Sequence, residues 1–126
     1  MTENNLNKTE NESIKNTMEI ILHAGDAREN IAKALDDLAV FDYNSAKAEM
    51  DEASKKLIIA HRLQTSKIQE EAEGKPIKYS VLFTHAQDTL MTINSEYIIV
   101  KHLIKVFEER DAKERGKVYD NRNEKK

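Results

Sequence analysis

A histidine and an aspartate three residues apart are the side chains in this sequence best placed to do chemistry. His85 and Asp88 are separated by one turn of a predicted helix, so their side chains lie on the same face. A carboxylate beside an imidazole can orient the ring, raise its basicity or help it to bind a cation. Imidazole is also a competent nucleophile near neutral pH, because one ring nitrogen is often free there. The pattern alone leaves two interpretations open, a reactive histidine and a polar pair that only specifies packing.

Neutral hydrogen-bonding residues surround this pair in the sequence. They are Thr84, Gln87, Thr89 and Thr92. Side chains of this kind can contact the oxygens of an anion carried on the ring, and we take Gln87 and Thr89 as candidates for supporting the histidine. The sequence does not set the other histidines apart in this way, and they are predicted to be surface or ordinary core residues. They are His23, His61 and His102.

Several other chemistries lack their sequence signals here. There is no Glu-x-x-His pair of a carboxylate-bridged di-metal bundle, no His-Glu-x-x-His zinc motif and no glycine-rich phosphate loop. No nucleophile turn of a serine hydrolase is recognisable. In the histidine phosphotransfer domains of two-component signalling, a lysine and a glycine typically follow the reactive histidine. Here Asp88 and Thr89 occupy that region.

Composition indicates one domain with long helices and a solvated outer surface. The chain has 126 residues, 34% of them charged, with one proline, three glycines and no cysteine. The absence of cysteine excludes disulfides and thiolate chemistry. With 20 basic and 23 acidic residues, the net charge of -3 argues against a nucleic-acid partner. No apolar run approaches the length of a membrane span, and we expect a cytoplasmic protein.

The few helix-breaking residues and the periodicity of the apolar residues predict an all-α fold, an antiparallel three-helix bundle. Residues 1–12 are polar and are predicted to be a flexible leader. Residues 13–110 form the three-helix domain, and residues 111–126 are a charged tail. Asp42 is the predicted N-cap of the second helix, which runs to about residue 73. Gly74-Lys75-Pro76 then interrupts the pattern before a third helix from about residue 78.

Alternating spacings of four and three residues predict a packing seam on each helix. The seam of helix one is Ile14, Met18, Ile21, Gly25, Arg28, Ala32, Leu35 and Ala39. The seam of helix two is Ala46, Met50, Ala53, Leu57, Ala60 and Gln64, followed by Lys67 or Ile68. Helix three has a polar-centred seam made of Val81, His85, Asp88, Thr92, Ser95, Ile99, His102 and Val106. Its second seam, interrupted at Glu96, is Leu82, Ala86, Thr89, Ile93, Val100, Leu103 and Phe107.

Two seams on one helix need two packing partners, and three helices leave one of them uncovered. We therefore expect a homo-oligomer with the polar-centred seam at or near the subunit interface. The small residues around Gly25 have two interpretations. They allow another helix to approach closely, which we favour, or they leave space for a ligand or a partner group.

The stretch around His85 resembles a known signature. His85-Ala86-Gln87-Asp88, followed by Leu90-Met91-Thr92, is similar to the signature of the lactose/cellobiose-type (chitobiose-type) IIA components of the phosphoenolpyruvate-dependent sugar phosphotransferase system. Further segments that resemble this family are Ala24-Gly25-Asp26-Ala27-Arg28, Ala60-His61, Gln64-Thr65 and Glu71-Ala72. The resemblance covers about residues 14–107.

This resemblance implies a homotrimer whose active sites lie at the subunit contacts. His85 would accept a phosphoryl group from the phosphocarrier protein HPr and pass it to a cysteine of the cognate IIB component, with the membrane IIC component involved only indirectly. Asp88 would lie on the threefold axis and bind a structural Mg²⁺. Thr89 stands where family members often have a second histidine. The implied role is the uptake of a β-disaccharide of the lactose, cellobiose or chitobiose class.

Two alternatives stay open beside this phosphocarrier. One is a non-catalytic helical adaptor, in which the polar-centred seam only sets the oligomeric state. The other is a divergent metal-binding bundle that depends on Asp88. Phosphoryl labelling of His85 distinguishes the phosphocarrier from both.

Overall fold

Three long α-helices make up the computed structural model of this chain, which describes residues 3–124 and the side chains of residues 8–116. Helix α1 comprises Glu3–Ala39, α2 comprises Tyr43–Ala72 and α3 comprises Val81–Glu124. No strand occurs in the described range, which confirms the predicted all-α, three-helix fold. No helix in that range is long and apolar enough to cross a membrane.

The outer helices extend further than the sequence predicts. Helix α1 begins within the predicted leader, residues 1–12, and α3 continues through most of the predicted tail, residues 111–126. Once a helix has formed, each further residue adds a backbone hydrogen bond whether or not it has an apolar face, so periodicity did not reveal these turns. Residues 1–2 and 125–126 lie outside the described range. The flexibility expected of both ends stays a prediction.

Capping residues define the loops largely as predicted. The Asp42 carboxylate accepts a hydrogen bond from the Ser45 amide at 3.1 Å, which confirms Asp42 as the N-cap of α2. Gly74 has a φ of 84°, the left-handed conformation expected after a helix C-terminus. Helix α3 begins slightly later than predicted because the Ser80 hydroxyl caps it, accepting a hydrogen bond from the Phe83 amide at 3.1 Å.

Cross-helix contacts define an up-down-up arrangement. Asn30 of α1 contacts Glu49 near the start of α2, and Lys67 near the end of α2 contacts Ser13, so α1 and α2 are antiparallel. Helix α3 returns in the direction of α1, with the Lys67 ammonium 4.6 Å from the centre of the Phe83 ring. Every helix therefore contacts the other two, and the contact between α2 and α3 is the least extensive.

The core confirms the predicted seam of α2 and corrects that of α1. On α2 the buried residues are Ala46, Met50, Ala53, Leu57 and Ala60. On α1 they are Ile20, Ala24, Ala27, Ile31, Ala34 and Leu38. The predicted α1 seam is wrong as a core face, since Ile14 and Met18 are exposed. Apolar residues cover a broad arc of α1, and α2 packs against only one edge of that arc.

Helix α3 buries the second of its predicted seams only in part. Ala86, Ile93 and Val100 are in the core as predicted, together with Leu90 and Ile104. All eight residues of the polar-centred seam are exposed. That seam is therefore left uncovered by α1 and α2, as expected for a face that has no partner in a single chain.

Polar contacts fix the helices relative to one another. The Arg28 guanidinium of α1 donates two hydrogen bonds to the Glu96 carboxylate of α3, Nε to Oε2 at 3.1 Å and Nη2 to Oε1 at 2.6 Å. Between α1 and α2, the buried Asn30 amide donates to Glu49 at 2.7 Å and accepts from the Lys56 ammonium at 2.6 Å. A paired geometry of this kind sets helix register, although an exposed ion pair adds little stability.

Candidate functional site

His85 and Asp88 lie on the exposed face of α3, opposite the core. Both side chains are exposed, and neither has a hydrogen bond or an ion pair within the described part of the chain. Helix geometry places them on successive turns of one face. The structure therefore brings together the two residues that the sequence singled out and leaves both available to another molecule.

His85 lies on the side of α3 that faces α1. It precedes Glu96 by eleven residues, about three helical turns, so the two side chains leave α3 in nearly the same direction. Because Glu96 bonds to Arg28, that direction is towards α1. Thr89 is one turn beyond His85 on the same side and is half-buried. It is thus the nearer of the two predicted supporting residues.

Gln87 lies on the other side of α3. Residues two apart on a helix do not face each other, so Gln87 and His85 diverge. Gln87 is one turn beyond Phe83, whose ring lies under the Lys67 ammonium of α2, and it is therefore on the side of α2. Within one chain the structure does not bring Gln87 beside His85.

No hydrogen bond joins His85 to Thr84, Thr17 or Gln64 in the described part of the chain. The Thr84 hydroxyl donates to the Ser80 carbonyl oxygen at 3.1 Å, a bond within its own helix turn. In the core, the Thr17 hydroxyl donates to the Ser13 carbonyl oxygen at 2.8 Å. Gln64 belongs to the predicted seam of α2, and its Oε1 is buried without a hydrogen-bond partner among the described residues. Gln64 was not predicted as a site residue, and no sequence signal distinguishes it from a core residue.

The side of α1 beside His85 offers apolar groups instead of cations. Helices α1 and α3 run in the same direction, and Arg28 is level with Glu96, so the part of α1 that is level with His85 is near Thr17. The neighbouring outward residues there are Ile14, Met18 and the half-buried Ile21. An anion carried on His85 would therefore obtain its charge stabilisation from another molecule.

We call the two seams of α1 and α3 that are mostly uncovered, taken together, the open face. It consists of Ile14, Met18, Ile21, Gly25, Arg28, Ala32, Leu35 and Ala39 on α1 and Val81, His85, Asp88, Thr92, Ser95, Ile99, His102 and Val106 on α3. The Arg28–Glu96 pair joins its two halves. Exposed apolar patches of this extent usually mark a protein–protein contact.

Gly25 lies on the open face and has no structural role inside the chain. A methyl group added at Gly25 would meet no atom within 4 Å. The neighbouring Ala24 and Ala27 are fully buried, so the interpretation of close helix approach holds for these two alanines. It fails for Gly25, whose small size can matter only to a molecule outside this chain.

A single chain does not assemble a metal site. The described residues contain no group of three or more histidine, cysteine, aspartate or glutamate side chains that could hold an ion. Asp88 provides an oxygen ligand of the type that Mg²⁺ prefers, but it provides only one. A metal ion at Asp88 would therefore need ligands from further copies of the chain.

These features define a class, a small helical protein with an exposed histidine–aspartate pair on a helix face that its own chain leaves uncovered. The known proteins that this chain resembles belong to the same class. The sequence profile described as "PTS system, Lactose/Cellobiose specific IIA subunit" matches residues 15–108. The chain belongs to this family, and it is therefore an EIIA component of the sugar phosphotransferase system.

Individual relatives support the same assignment. The lactose-specific EIIA component of Staphylococcus epidermidis is 36% identical over 89 residues, which cover 71% of this chain and 86% of the relative. The corresponding component of Streptococcus mutans is 37% identical over the same length. The crystal structure of the cellobiose-specific enzyme IIA from Bacillus anthracis matches 80% of this chain and 93% of its own, with a TM-score of 0.74 and 31% identity. PtcA from S. mutans matches with a TM-score of 0.73 and 30% identity.

Proposed function

We propose that this chain is a phosphocarrier in which His85 accepts a phosphoryl group from phospho-HPr and passes it to a cysteine of the cognate IIB component. The observation that carries this proposal is the exposure of His85 without a partner, one turn from Asp88, on a family member's open face. A nucleophile that must meet two protein partners in turn has to be accessible to both. A histidine that only stabilised the bundle would be paired within it.

The reaction is two successive phosphoryl transfers. A free ring nitrogen of His85 attacks the phosphorus of the donor, a new N–P bond forms, and the donor's own P–N bond breaks and leaves its imidazole to take up a proton. In the second step the IIB thiolate attacks the same phosphorus, an S–P bond forms, and the His85 nitrogen leaves. Each transfer needs in-line geometry and exclusion of water, which the docked partner provides.

Asp88 positions the reactive ring and Thr89 supports the phosphoryl group. A carboxylate one turn away favours one orientation of the imidazole and stabilises positive charge on it during transfer. Thr89 is on the same side of α3 as His85, and its hydroxyl can donate to a phosphoryl oxygen. This direct hydroxyl contact replaces the second imidazole that the family often has at this position.

The open face assembles the chain into a homotrimer. Helix α3 is uncovered over the whole length of its polar-centred seam, and burying it requires identical surfaces from other copies. When three copies of α3 pack around one axis, the side of one helix that carries Gln87 faces the side of the next helix that carries His85. Gln87, which diverges from His85 within its own chain, then approaches the His85 of a neighbouring copy and serves as a phosphate contact there.

Mg²⁺ binds at the axis of this trimer as a structural cofactor. Three copies of Asp88 provide three carboxylates in close proximity, and these would repel one another without a cation. Carboxylate oxygens are suitable ligands for Mg²⁺, which usually completes its coordination with water. The ion offsets charge at the axis and takes no part in the transfer steps.

The proposed phosphocarrier role also implies the class of sugar that is phosphorylated and the compartment in which the chain works. The carried phosphoryl group ends on a β-disaccharide of the lactose, cellobiose or chitobiose class. The two lactose-specific relatives and the cellobiose-specific neighbour support that range. The chain itself meets only proteins, in the cytoplasm, and contacts the membrane IIC component indirectly.

Phosphoryl labelling tests the proposal. Incubating the purified chain with labelled phosphoenolpyruvate, enzyme I and HPr should label one histidine per chain, and adding the IIB component should remove the label. His85→Ala should abolish labelling, whereas His61→Gln should leave it unchanged. Labelling of His85→Ala at the wild-type level would reject the assignment of the phosphoryl acceptor.

A further inference from the structure

We propose that His102 forms a second axial site, in which three copies bind one transition-metal ion such as Zn²⁺ through their imidazole rings. The inference rests on the trimer included in the proposed function. It concerns a residue 14 positions beyond Asp88 that has no part in phosphoryl transfer.

The first argument is the register of α3. His102 follows Asp88 by two full seven-residue repeats, with Ser95 midway between them. Positions that share a place in the repeat face the same direction along a supercoiled seam. The arrangement that gathers Asp88 around a threefold axis therefore gathers His102 as well. Like Asp88, His102 is exposed and lies on the open face.

The second argument is the orientation of the imidazole. Nδ1 of His102 lies 2.8 Å from the carbonyl oxygen of Ile98, one turn earlier. A carbonyl oxygen only accepts hydrogen bonds, so Nδ1 carries the hydrogen. In the neutral ring, Nε2 then has the free lone pair. Metal-binding histidines commonly donate their other ring nitrogen to a backbone carbonyl, which fixes the tautomer and the plane of the ring.

The third argument is the chemistry of the donor set. Three neutral imidazoles with one water form the tetrahedral site that Zn²⁺ and Co²⁺ accept, with metal–nitrogen distances of about 2.0–2.1 Å for zinc. Mg²⁺ prefers oxygen ligands and binds such a set poorly. The two axial sites are thus selective for different metals and lie roughly 21 Å apart, at 1.5 Å of rise per residue.

Apolar residues of the same seam enclose the proposed site. Ile99 and Val106 flank His102, are 59% and 58% exposed in the single chain, and cover the site from both sides when the seam is paired. His102 also borders a groove between α2 and α3 that contains two carboxylates, Asp51 and Glu108. Glu108 is paired with Lys47 at 2.5 Å, and Asp51 lies on α2, away from the proposed axis.

Cobalt binding to the full-length protein tests this inference, because Co²⁺ takes the same ligands as Zn²⁺ and reports its geometry by visible absorption. We expect one Co²⁺ per three chains with a tetrahedral spectrum. His102→Gln should abolish that spectrum and leave the oligomeric state and His85 labelling intact. Asp88→Asn, which removes the other axial ligand, should retain the spectrum in any trimer that forms. His23→Gln is the matched control and should bind Co²⁺ as the wild-type chain does.

The outcomes separate this inference from the proposed function. A trimer that labels on His85 but binds no tetrahedral Co²⁺, or binds it equally well as His102→Gln, overturns the His102 site and leaves the phosphocarrier in place. A protein that sediments as a monomer overturns the trimer and the His102 site together, whereas the labelling of His85 is judged by its own experiment.

Discussion

Among the polar side chains of the three helices, those that stabilise the bundle have partners inside it. Thr17 and Asn30 are buried, and each makes a hydrogen bond of less than 3 Å within the described chain. His85 and Asp88 are exposed and have no such bond. This exposure leaves both side chains accessible to another molecule, as the proposed transfer between two protein partners requires.

Tyr43 should titrate later than an ordinary tyrosine. Its hydroxyl donates to the Asp111 carboxylate, and this bond, with minor contributions from burial and nearby acidic groups, raises the pKa of Tyr43 from 10.0 to about 12. The folded-state pKa exceeds the unfolded one, so the stabilisation is fully present below pH 10 and is lost as the pH rises towards about 12. A titration followed by phenolate absorbance should show one late phase.

Substitution at two tyrosines assigns that phase. Tyr43→Phe should remove the late phase, whereas Tyr79→Phe, at an exposed position in the loop before α3, should leave it unchanged. A late phase that persists in Tyr43→Phe would show that the contact with Asp111 does not control this ionisation.

At the scale of the helices, the start of α2 is joined to α3 close to the limit of the family match. Tyr43 bonds to Asp111 and Lys47 pairs with Glu108, while the matched region ends at residue 108. Helix α3 then continues to Glu124. These contacts attach α3 to the start of α2 near residues 108–111, and α3 continues beyond them.

Substitutions at the two positive-φ residues of the loops, Phe41 and Gly74, should change stability in opposite directions. Phe41 has a φ of 62° and is 64% exposed, so its left-handed backbone is strained and its ring is only partly packed. Such strain costs about 1–2 kcal/mol, of which glycine's greater freedom in the unfolded chain offsets about 0.5–1 kcal/mol. Phe41→Gly should therefore raise the free energy of unfolding by up to about 1 kcal/mol in urea denaturation.

Gly74 provides the matched substitution. It also has a positive φ, 84°, and an added methyl group would meet no atom within 4 Å, so the effect of Gly74→Ala is conformational. This change should lower the free energy of unfolding by about 1 kcal/mol. If Phe41→Gly destabilised the protein by a similar amount, the exposed ring would be making a contact that outweighs the strain.

At the scale of the whole molecule, a substitution at Gly25 should affect the stability of the single chain and the stability of the oligomer in opposite directions. Alanine is favoured over glycine in a helix interior by about 1 kcal/mol, and an added methyl group has open space here. Gly25→Ala should therefore stabilise the dissociated chain by about that amount. It should also weaken the proposed trimer, because the methyl group lies on the open face, which another copy covers in that proposal. Sedimentation over a dilution series measures the second effect.

Gly74→Ala is the control for this experiment. Gly74 lies in the loop after α2, outside the open face, and an added methyl group there also meets no atom within 4 Å. Gly74→Ala should leave the dissociation constant unchanged. A Gly25→Ala variant that associates as tightly as the wild-type chain would remove Gly25 from the subunit contact.

Local sequence features determined the helices, the loops and the central pair of the site. Asp42 and Gly74 identify the helix ends because capping depends on backbone geometry within a few residues. His85 and Asp88 share a face because one helical turn separates them. The resemblance that led to the family rests on the same contiguous stretch. None of these features requires knowledge of how the helices pack.

Tertiary structure decided which face of each helix is covered. Periodicity predicted a seam on α1 that includes Ile14 and Met18, but α2 packs against the adjacent face and leaves these residues exposed. Only the packing placed Gln87 on the side of α2 and showed that Gly25 contacts nothing in its own chain. The physical reason is that an apolar arc specifies that a helix face will be buried, whereas the identity of its partner depends on residues distant in sequence.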